Sequence, residues 1–338
     1  MRFIKENVKQ FARAKAVTYS EHYIVCSTGG QIKIFDKDFN LLQTIKGVRY
    51  VYKCIISPDE KNLLLISITN CFYVVELDTF GIAKHTIKGK YDGNLEGNGC
   101  WSLDSYGCCF CVTSKLSSKS ALRIYDDIKK DVYRELLCDK YWLTSILAVP
   151  QHNKYLLTGF DYTTDKSYLI WYDGSKFEEF PVSGLSECDA VMQAKFYEKG
   201  ACCIVIGSEN TVLCSTEGQL IKRIDLREQS SLTYSFMDIL KSVDMKEKDR
   251  QEIADLSKHL GLEGINVPDQ IMNVCYSSDE RYFYIATLGS LLCVDAQTYE
   301  IKAEKKYSFG IKTVEEFREE LLLVTTWDSV EFLRLSAE

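Results

Sequence analysis

An all-β fold, a seven-bladed β-propeller of four-stranded antiparallel blades with a helical insertion between blades five and six, is the fold class this sequence predicts. Three observations predict it. A short apolar strand that mostly ends in an acidic residue recurs seven times, the turns around it recur at intervals of about 40 residues, and the last copy lacks a strand that the start of the chain can supply.

The unit is clearest from Ile56 to Thr79, ISPDEKNLLLISITNCFYVVELDT. A Ser-Pro-Asp-Glu turn follows one apolar run, LLLISI makes a second strand, and FYVVEL makes a third that closes on Asp78-Thr79. Third strands of the same shape are IKIFD (Ile32 to Asp36), FYVVE (Phe72 to Glu76), LRIYD (Leu122 to Asp126), LIWYD (Leu169 to Asp173) and LLCVD (Leu291 to Asp295). VLCST (Val212 to Thr216) and VEFLR (Val330 to Arg334) fill the same slot without the acid. More polar runs such as LLQTIK, IAKHTIK and LIKRID follow, as expected where a fourth strand meets water.

The turns between first and second strands set the period. SPDEKN at Ser57, SLDSYG at Ser102, VPQHNK at Val149 and SSDERY at Ser277 correspond, with 45 residues from Ser57 to Ser102 and 47 from Ser102 to Val149. From near Tyr197 to Ser277 the interval is 80, so one unit there carries an insertion. The seventh copy ends after EEFRE, LLLVTTW and VEFLRL, and Arg2 to Gln10, upstream of the first copy's first strand (Ala14 to Tyr19), is placed to serve as its fourth strand. A single domain, 1–338, closed by residues 2–10 and interrupted by 226–270, is the expectation; closure would remove an exposed sheet edge.

IKIFD, LRIYD and WYD resemble the strand ending of the WD-repeat propellers, and SPDEKNLLLIS resembles their turn-and-strand segment. The likeness runs along the whole chain, although the Gly-His pair of that family is absent and Phe, Tyr or Cys stands for its Trp. The resemblance implies a scaffold for protein–protein contacts and no catalytic residues.

Composition narrows the function classes. With 46% hydrophobic and 26% charged residues and a net charge of −7, the chain can bury a core and offers no broad basic face for nucleic acid. No run of about 18 apolar residues is present, so no membrane span is expected. MRFIKENVKQFARAK lacks the pattern of a secretory signal, and the 14 cysteines fit free thiols in a reducing compartment, so the expected address is cytoplasmic.

The insertion, Leu226 to Gln270, reads as two short helices. Phe236, Ile239, Leu240 and Val243 fall at helical spacing, and Asp244 with Glu247 forms a capping box for a second segment. Ile253, Leu256 and Leu260 line one side of that segment and Gly261 stands at its left-handed cap. The insertion either joins a recognition surface or buries its stripe against its own scaffold. Long connections at Lys88 to Gly99, Ser114 to Ser120 and Phe160 to Ser167 fall on the same inferred face. The partner-binding candidates are Tyr91, Asp92, Asn94, Tyr162, Phe236 and Leu256.

No chemistry-bearing constellation stands out. Cys108 and Cys111 have nominal metal spacing, but they replace aliphatic residues in a second strand, where positions three apart face opposite ways. Cys214 and Cys293 occupy the slot of Ile34, Val74, Ile124 or Trp171 and read as small hydrophobes, as do Cys202 and Cys203. His22, His85, His152 and His259 are scattered and read as surface residues. Counting back from the turns places Lys15, Lys53, Asn98, Ser145, Met192, Asn273 and Thr313 toward a central channel, with no ring of carboxylates or histidines. The expected function is a non-enzymatic interaction scaffold for an unknown protein partner, with no cofactor, no metal and neither nucleic acid nor membrane as partner. A channel-site enzyme or small-molecule sensor is the competing expectation.

Overall fold

The structure, a computed structural model, describes residues 1–6, 11, 14–67, 69, 71–87, 101–104, 107–113, 120–149, 152–161, 163–164, 166–180, 182–185, 191–196, 202–207, 211–224, 233–235, 246–261, 266–268, 271–307, 310–318, 321–326 and 329–336. The chain divides into two compact units, Arg13–Ile224 and Met1–Ala12 with Asp225–Glu338.

Among the described residues of Arg13–Ile224, twenty strands form five four-stranded antiparallel sheets, each a meander in chain order. The first comprises Ala16–Tyr19, Tyr23–Thr28, Gln31–Asp36 and Leu41–Lys46; the second Val51–Ile56, Asn62–Ser67, Cys71–Glu76 and Ile82–Thr86. The third comprises Trp101–Asp104, Gly107–Thr113, Ser120–Asp127 and Val132–Cys138; the fourth Trp142–Val149, Lys154–Asp161, Lys166–Tyr172 and Phe177–Phe180. Val191–Phe196, Cys202–Gly207, Thr211–Ser215 and Leu220–Ile224 make the fifth.

Burial explains the sequence pattern. Second and third strands such as NLLLIS and CFYVVE are covered on both faces, so they read as continuous apolar runs, whereas the fourth strand IAKHT alternates between exposed and half-buried. Adjacent sheets pack face to face. Val25, Ile34, Leu63 and Tyr73 join the first to the second, Phe72 and Trp101 the second to the third, Leu122 and Leu157 the third to the fourth, and Leu156 and Cys203 the fourth to the fifth. Each side chain in these layers has neighbours on a second sheet, which is why no sheet need be stable alone.

The recurring turns have a common chemistry. The Ser57 hydroxyl donates to Asp59 Oδ1 at 2.6 Å and accepts from Asn62 N, while Asp59 Oδ1 accepts from Lys61 N, so the turn's polar groups satisfy one another. The acid that ends the third strand works similarly. Asp36 Oδ1 accepts from Asp38 N and Asn40 N, and Asp173 Oδ1 from Ser175 N and Lys176 N. The Ser175 hydroxyl, which also donates to Asp173 Oδ1, and then these two amides hold the Asp173 carboxyl down at about 2.

The other unit contains two four-stranded sheets among its described residues. One is Ile271–Tyr276, Tyr282–Thr287, Ser290–Asp295 and Ile301–Lys306. In the second, Ile311–Arg318, Leu321–Thr326 and Val330–Ser336 are completed by Arg2–Glu6, which pairs antiparallel with Val330–Ser336 from Arg2 opposite Ser336 to Glu6 opposite Phe332. The Glu331 carboxylate fastens this arrangement. It takes Lys5 Nζ at 2.5 Å, Lys305 Nζ at 2.6 Å and the Tyr307 hydroxyl at 3.0 Å, so one side chain joins the N-terminal strand to both sheets of its unit. Phe11, fully buried, meets the Phe332 ring edge-on at 5.3 Å. The Ser-Asp turn is repeated at Ser277 and Asp279.

Several expectations need correction. The insertion is not purely helical, because Thr233–Ser235 and Asn266–Pro268 form a two-stranded antiparallel ladder. One helix, α1, spans Glu247–His259; Lys246 stands at its N-cap and makes no side-chain cap bond, so the expected capping box is not the device that starts it. Gly261 at φ +70° does occupy the left-handed position beyond its end. Of the two alternatives for the apolar stripe, burial against the scaffold does not hold: Leu256 and Leu260 are exposed, and Ser257 is the buried residue of α1. The Ser257 hydroxyl is satisfied internally by Ala254 O at 2.7 Å, so this small side chain can turn inward at little polar cost. The connection placed at Phe160 to Ser167 is shorter, since Phe160 pairs with Ser167 and Asp161 with Lys166. His85 is not a surface histidine; it is half-buried against Phe72, ring centroids 5.0 Å apart.

First strands also carry a feature with no sequence signal. Their register slips by one residue between Val51 and Lys53, Leu143 and Ser145, and Val191 and Gln193, and again in the other unit between Ile271 and Asn273 and between Ile311 and Thr313. Such bulges re-aim the side chains that follow. Lys53 Nζ consequently donates to Trp101 O on the next sheet, the Ser145 hydroxyl bonds Thr158 Oγ1, and Asn273 Oδ1 accepts from Val314 N. Three positions expected to face a channel thus use their polar atoms as structural ties.

Candidate interaction site

In an antiparallel meander, second-to-third turns and the connections leading to the next sheet lie at the same strand ends. Within Arg13–Ile224 this geometry is explicit. The Ser67 hydroxyl, at the end of a second strand, donates to Arg49 O in the connection that opens the same sheet, and Leu143 N donates to the Ser120 hydroxyl across two sheets. The opposite ends are closed by the Ser-Asp and Asp-capped turns. Two cavities lined by described residues of this unit reach the connection-bearing ends.

The larger, about 830 Å³, lies along the third and fourth sheets. Leu137, near the end of the third sheet's last strand, and Tyr141 from the connection line it together with Trp171, Phe177 and Glu179 of the fourth sheet. Lys140 is held over the rings of Tyr141 and Tyr168, 4.9 and 5.4 Å from their centroids, and both Lys140 and the Tyr141 hydroxyl bond the Glu179 carboxylate. Bonds from Lys140 and then Tyr141 pull the Glu179 carboxyl below its ordinary value. Burial, then the bond to Glu179, raises the Tyr141 phenol to about 12. Gly159 makes room for this ring, since a Cβ there would stand 3.0 Å from Tyr141 Cβ and 2.8 Å from Ile170 Cδ1. Leu137 remains 65% exposed at the rim, an apolar group available to another surface.

The second cavity, about 470 Å³, lies between the Thr28–Gln31 turn and the Gly47–Tyr50 connection. Gly29 and Gly47 take φ values of +59° and +85° that the tight chain path requires, and Cβ atoms at either would meet nothing within 4 Å.

Of the residues named from sequence, Tyr91, Asp92, Asn94, Tyr162 and Phe236 lie outside the described residues, so their placement is not part of this geometry. Leu256 is on the outer face of α1. The sequence reading missed Arg49, Tyr50, Lys140 and Tyr141; the Gly29-Gly30 pair between two strands was the available signal for the smaller cavity.

Comparison with known proteins is consistent with a shared architecture at great sequence distance. No family model matches the chain, and no curated protein matches it. Among solved structures it is similar to the crystal structure of the Myceliophteria thermophila Cps50 (Swd1) β-propeller domain, with a TM-score of 0.61 and 9% identity over 98% of this chain and 99% of that one. The fold is a β-propeller. Its blades are four-stranded and antiparallel.

Several described cysteine thiols are held protonated by their surroundings. Burial pushes Cys26 to about 11 and Cys293 to about 12, and Cys203, hydrogen-bonded to Cys214 and enclosed, stays well above its ordinary value. Among the described residues no group of three His, Cys, Asp or Glu side chains is placed to hold a metal ion, and no helix is long and apolar enough to cross a membrane.

Proposed function

We propose that the chain is one seven-bladed, WD-repeat-like propeller that acts as a non-enzymatic, cytoplasmic scaffold for protein–protein contact. The observation that carries this reading is the asymmetry within Arg13–Ile224. One set of strand ends is sealed by turns whose side chains satisfy their own backbone, while the other carries the cavity beside exposed Tyr50 and the exposed Leu137 rim of a second that runs along the fourth sheet. Rigid sheets hold these groups in place, so a partner need not order them on binding. The strand ends flanking Tyr91, Asp92, Asn94 and Tyr162 belong to the same set, and these residues are candidates for the same contact; Phe236 and Leu256 are separate candidates in the insertion of the other unit. The similar propeller domain of Cps50 (Swd1) supports the scaffold fold.

Site-specific photo-crosslinking tests the reading. A benzophenone amino acid at Leu137 should yield a discrete protein adduct in an extract of the organism's own cells, whereas the same group at Lys61, in a sealed turn, should not. Adducts from Lys61 equal to those from Leu137, or none from Leu137, would count against it.

A further inference from the structure

The smaller cavity is lined by a cation, an aromatic ring and three glycines. Its walls are Thr28, Gly29, Gly30, Gln31, Gly47, Arg49 and Tyr50, which include one positive charge and no acid. In a chain of net charge −7, residues 39 to 58 contain Lys46, Arg49 and Lys53 and not one Asp or Glu. Lys53 is spent on Trp101 O. Lys46 stands across the strand pair from Gln31, next to the cavity wall. Some cations of this unit are neutralised by carboxylates, as Lys129 is by Glu76 and Arg123 by Glu135. Among the described residues the exposed Arg49 guanidinium has none.

Tyr50 is the second unusual feature. It adopts φ +58°, a left-handed conformation unfavourable for a bulky side chain, and is still 61% exposed. Phe39, Phe80 and Tyr299 share this conformation but are half-buried in their turns, whereas the Tyr50 ring lies open to another surface. Gly29 and Gly47 leave free space and accessible backbone beside the ring.

We propose that this cavity receives an acidic peptide segment of a partner protein. A carboxylate forms a forked pair with Arg49, Lys46 adds longer-range attraction, and the peptide lies against the Tyr50 ring. Arg and Tyr are the side-chain types that anchor interfaces, the first through paired hydrogen bonds and the second through a large rigid surface. The proposal rests on the interaction reading above and narrows it to one site and one charge sign.

Selection of a random-peptide phage library on the intact chain is the test, followed by fluorescence anisotropy with the winning peptides. Peptides enriched in Asp and Glu are expected, with binding that weakens as ionic strength rises. R49E should raise Kd at least about tenfold, or ~1.4 kcal/mol, with R49Q intermediate and Y50A also weaker. Thermal melts of R49E and R49Q should match the parent because Arg49 is exposed, which separates lost binding from lost folding. Peptides without acids, or binding indifferent to R49E and R49Q, would place recognition elsewhere; that result removes this site and leaves the scaffold reading to the crosslinking experiment. Displacement of the peptide by an equal concentration of inorganic phosphate would also overturn the proposal, since the site would then take a small anion. Failure to enrich any peptide refutes it as well.

Discussion

Replacing Glu331 by glutamine should loosen the junction between the N-terminal strand and its unit. The carboxylate is 14% exposed and bonds Lys5, Lys305 and Tyr307. Burial favours its neutral form, but the hydrogen bonds from Lys305 and Lys5 prevail and hold the carboxyl below its ordinary value. Lys5 is more than half exposed, so its pair contributes on the scale of a surface ion pair, at most about 1 kcal/mol. Lys305 is 26% exposed, and a charged hydrogen bond in such partial burial contributes about 1.5 kcal/mol. Glutamine keeps the shape and one acceptor, so the net loss should be about 2 kcal/mol. For a protein of this size that corresponds to a fall in Tm of roughly 4 °C. The sign with pH follows from the lowered carboxyl. Its contribution is fully present above the unfolded value near 4.5 and disappears as pH falls through the lower folded value. Melting curves of parent and E331Q should therefore separate at pH 7 and converge in acid. A double-mutant cycle with K305M should show coupling of about 1 kcal/mol. Parent and E331Q melting together at pH 7, or an equal gap in acid, would refute the reasoning.

Other consequences can be checked with similar means. Deleting residues 1–6 leaves Val330–Ser336 as an open edge, and light scattering should reveal concentration-dependent association absent from the intact chain. S57A and S277A remove equivalent hydroxyls from buried turn positions and should each cost about 1 kcal/mol in denaturant melts; a cost at only one would show that the turns are not equivalent. G159A should overpack the Tyr141 wall and destabilise by about 1–3 kcal/mol. Y50G should leave Tm unchanged or raise it by relieving the left-handed backbone, while a fall would mean that the ring supports the fold.

The strands and their turns were legible because their signals are local. NLLLIS announces burial on both faces, and Ser57 with Asp59 announces a self-satisfied turn. The bulges were not, since the residues they insert include Tyr52, Thr144 and Met192, which share no property that periodicity could detect. The orientation of α1 was left open by the sequence for a related reason. Leu256 and Leu260 made an apolar stripe, but Ser257 is the residue that turns inward, and only the tertiary arrangement reveals that a small side chain fits there. Arg49 and Tyr50 became notable through a missing ion pair and a positive φ, neither of which is written in composition.

The pairing of Arg2–Glu6 with Val330–Ser336 also sets a schedule for biosynthesis. The strand made first can find its neighbour only after more than 300 further residues have been added, which at ribosomal speeds of about 5–20 residues per second takes roughly 20–60 seconds. Throughout that interval the nascent chain trails an unmatched strand, Phe3 and Ile4 included, while earlier sheets are already able to assemble. Residence on a chaperone that shelters this leading strand would be governed by elongation time, and slowing translation should lengthen it.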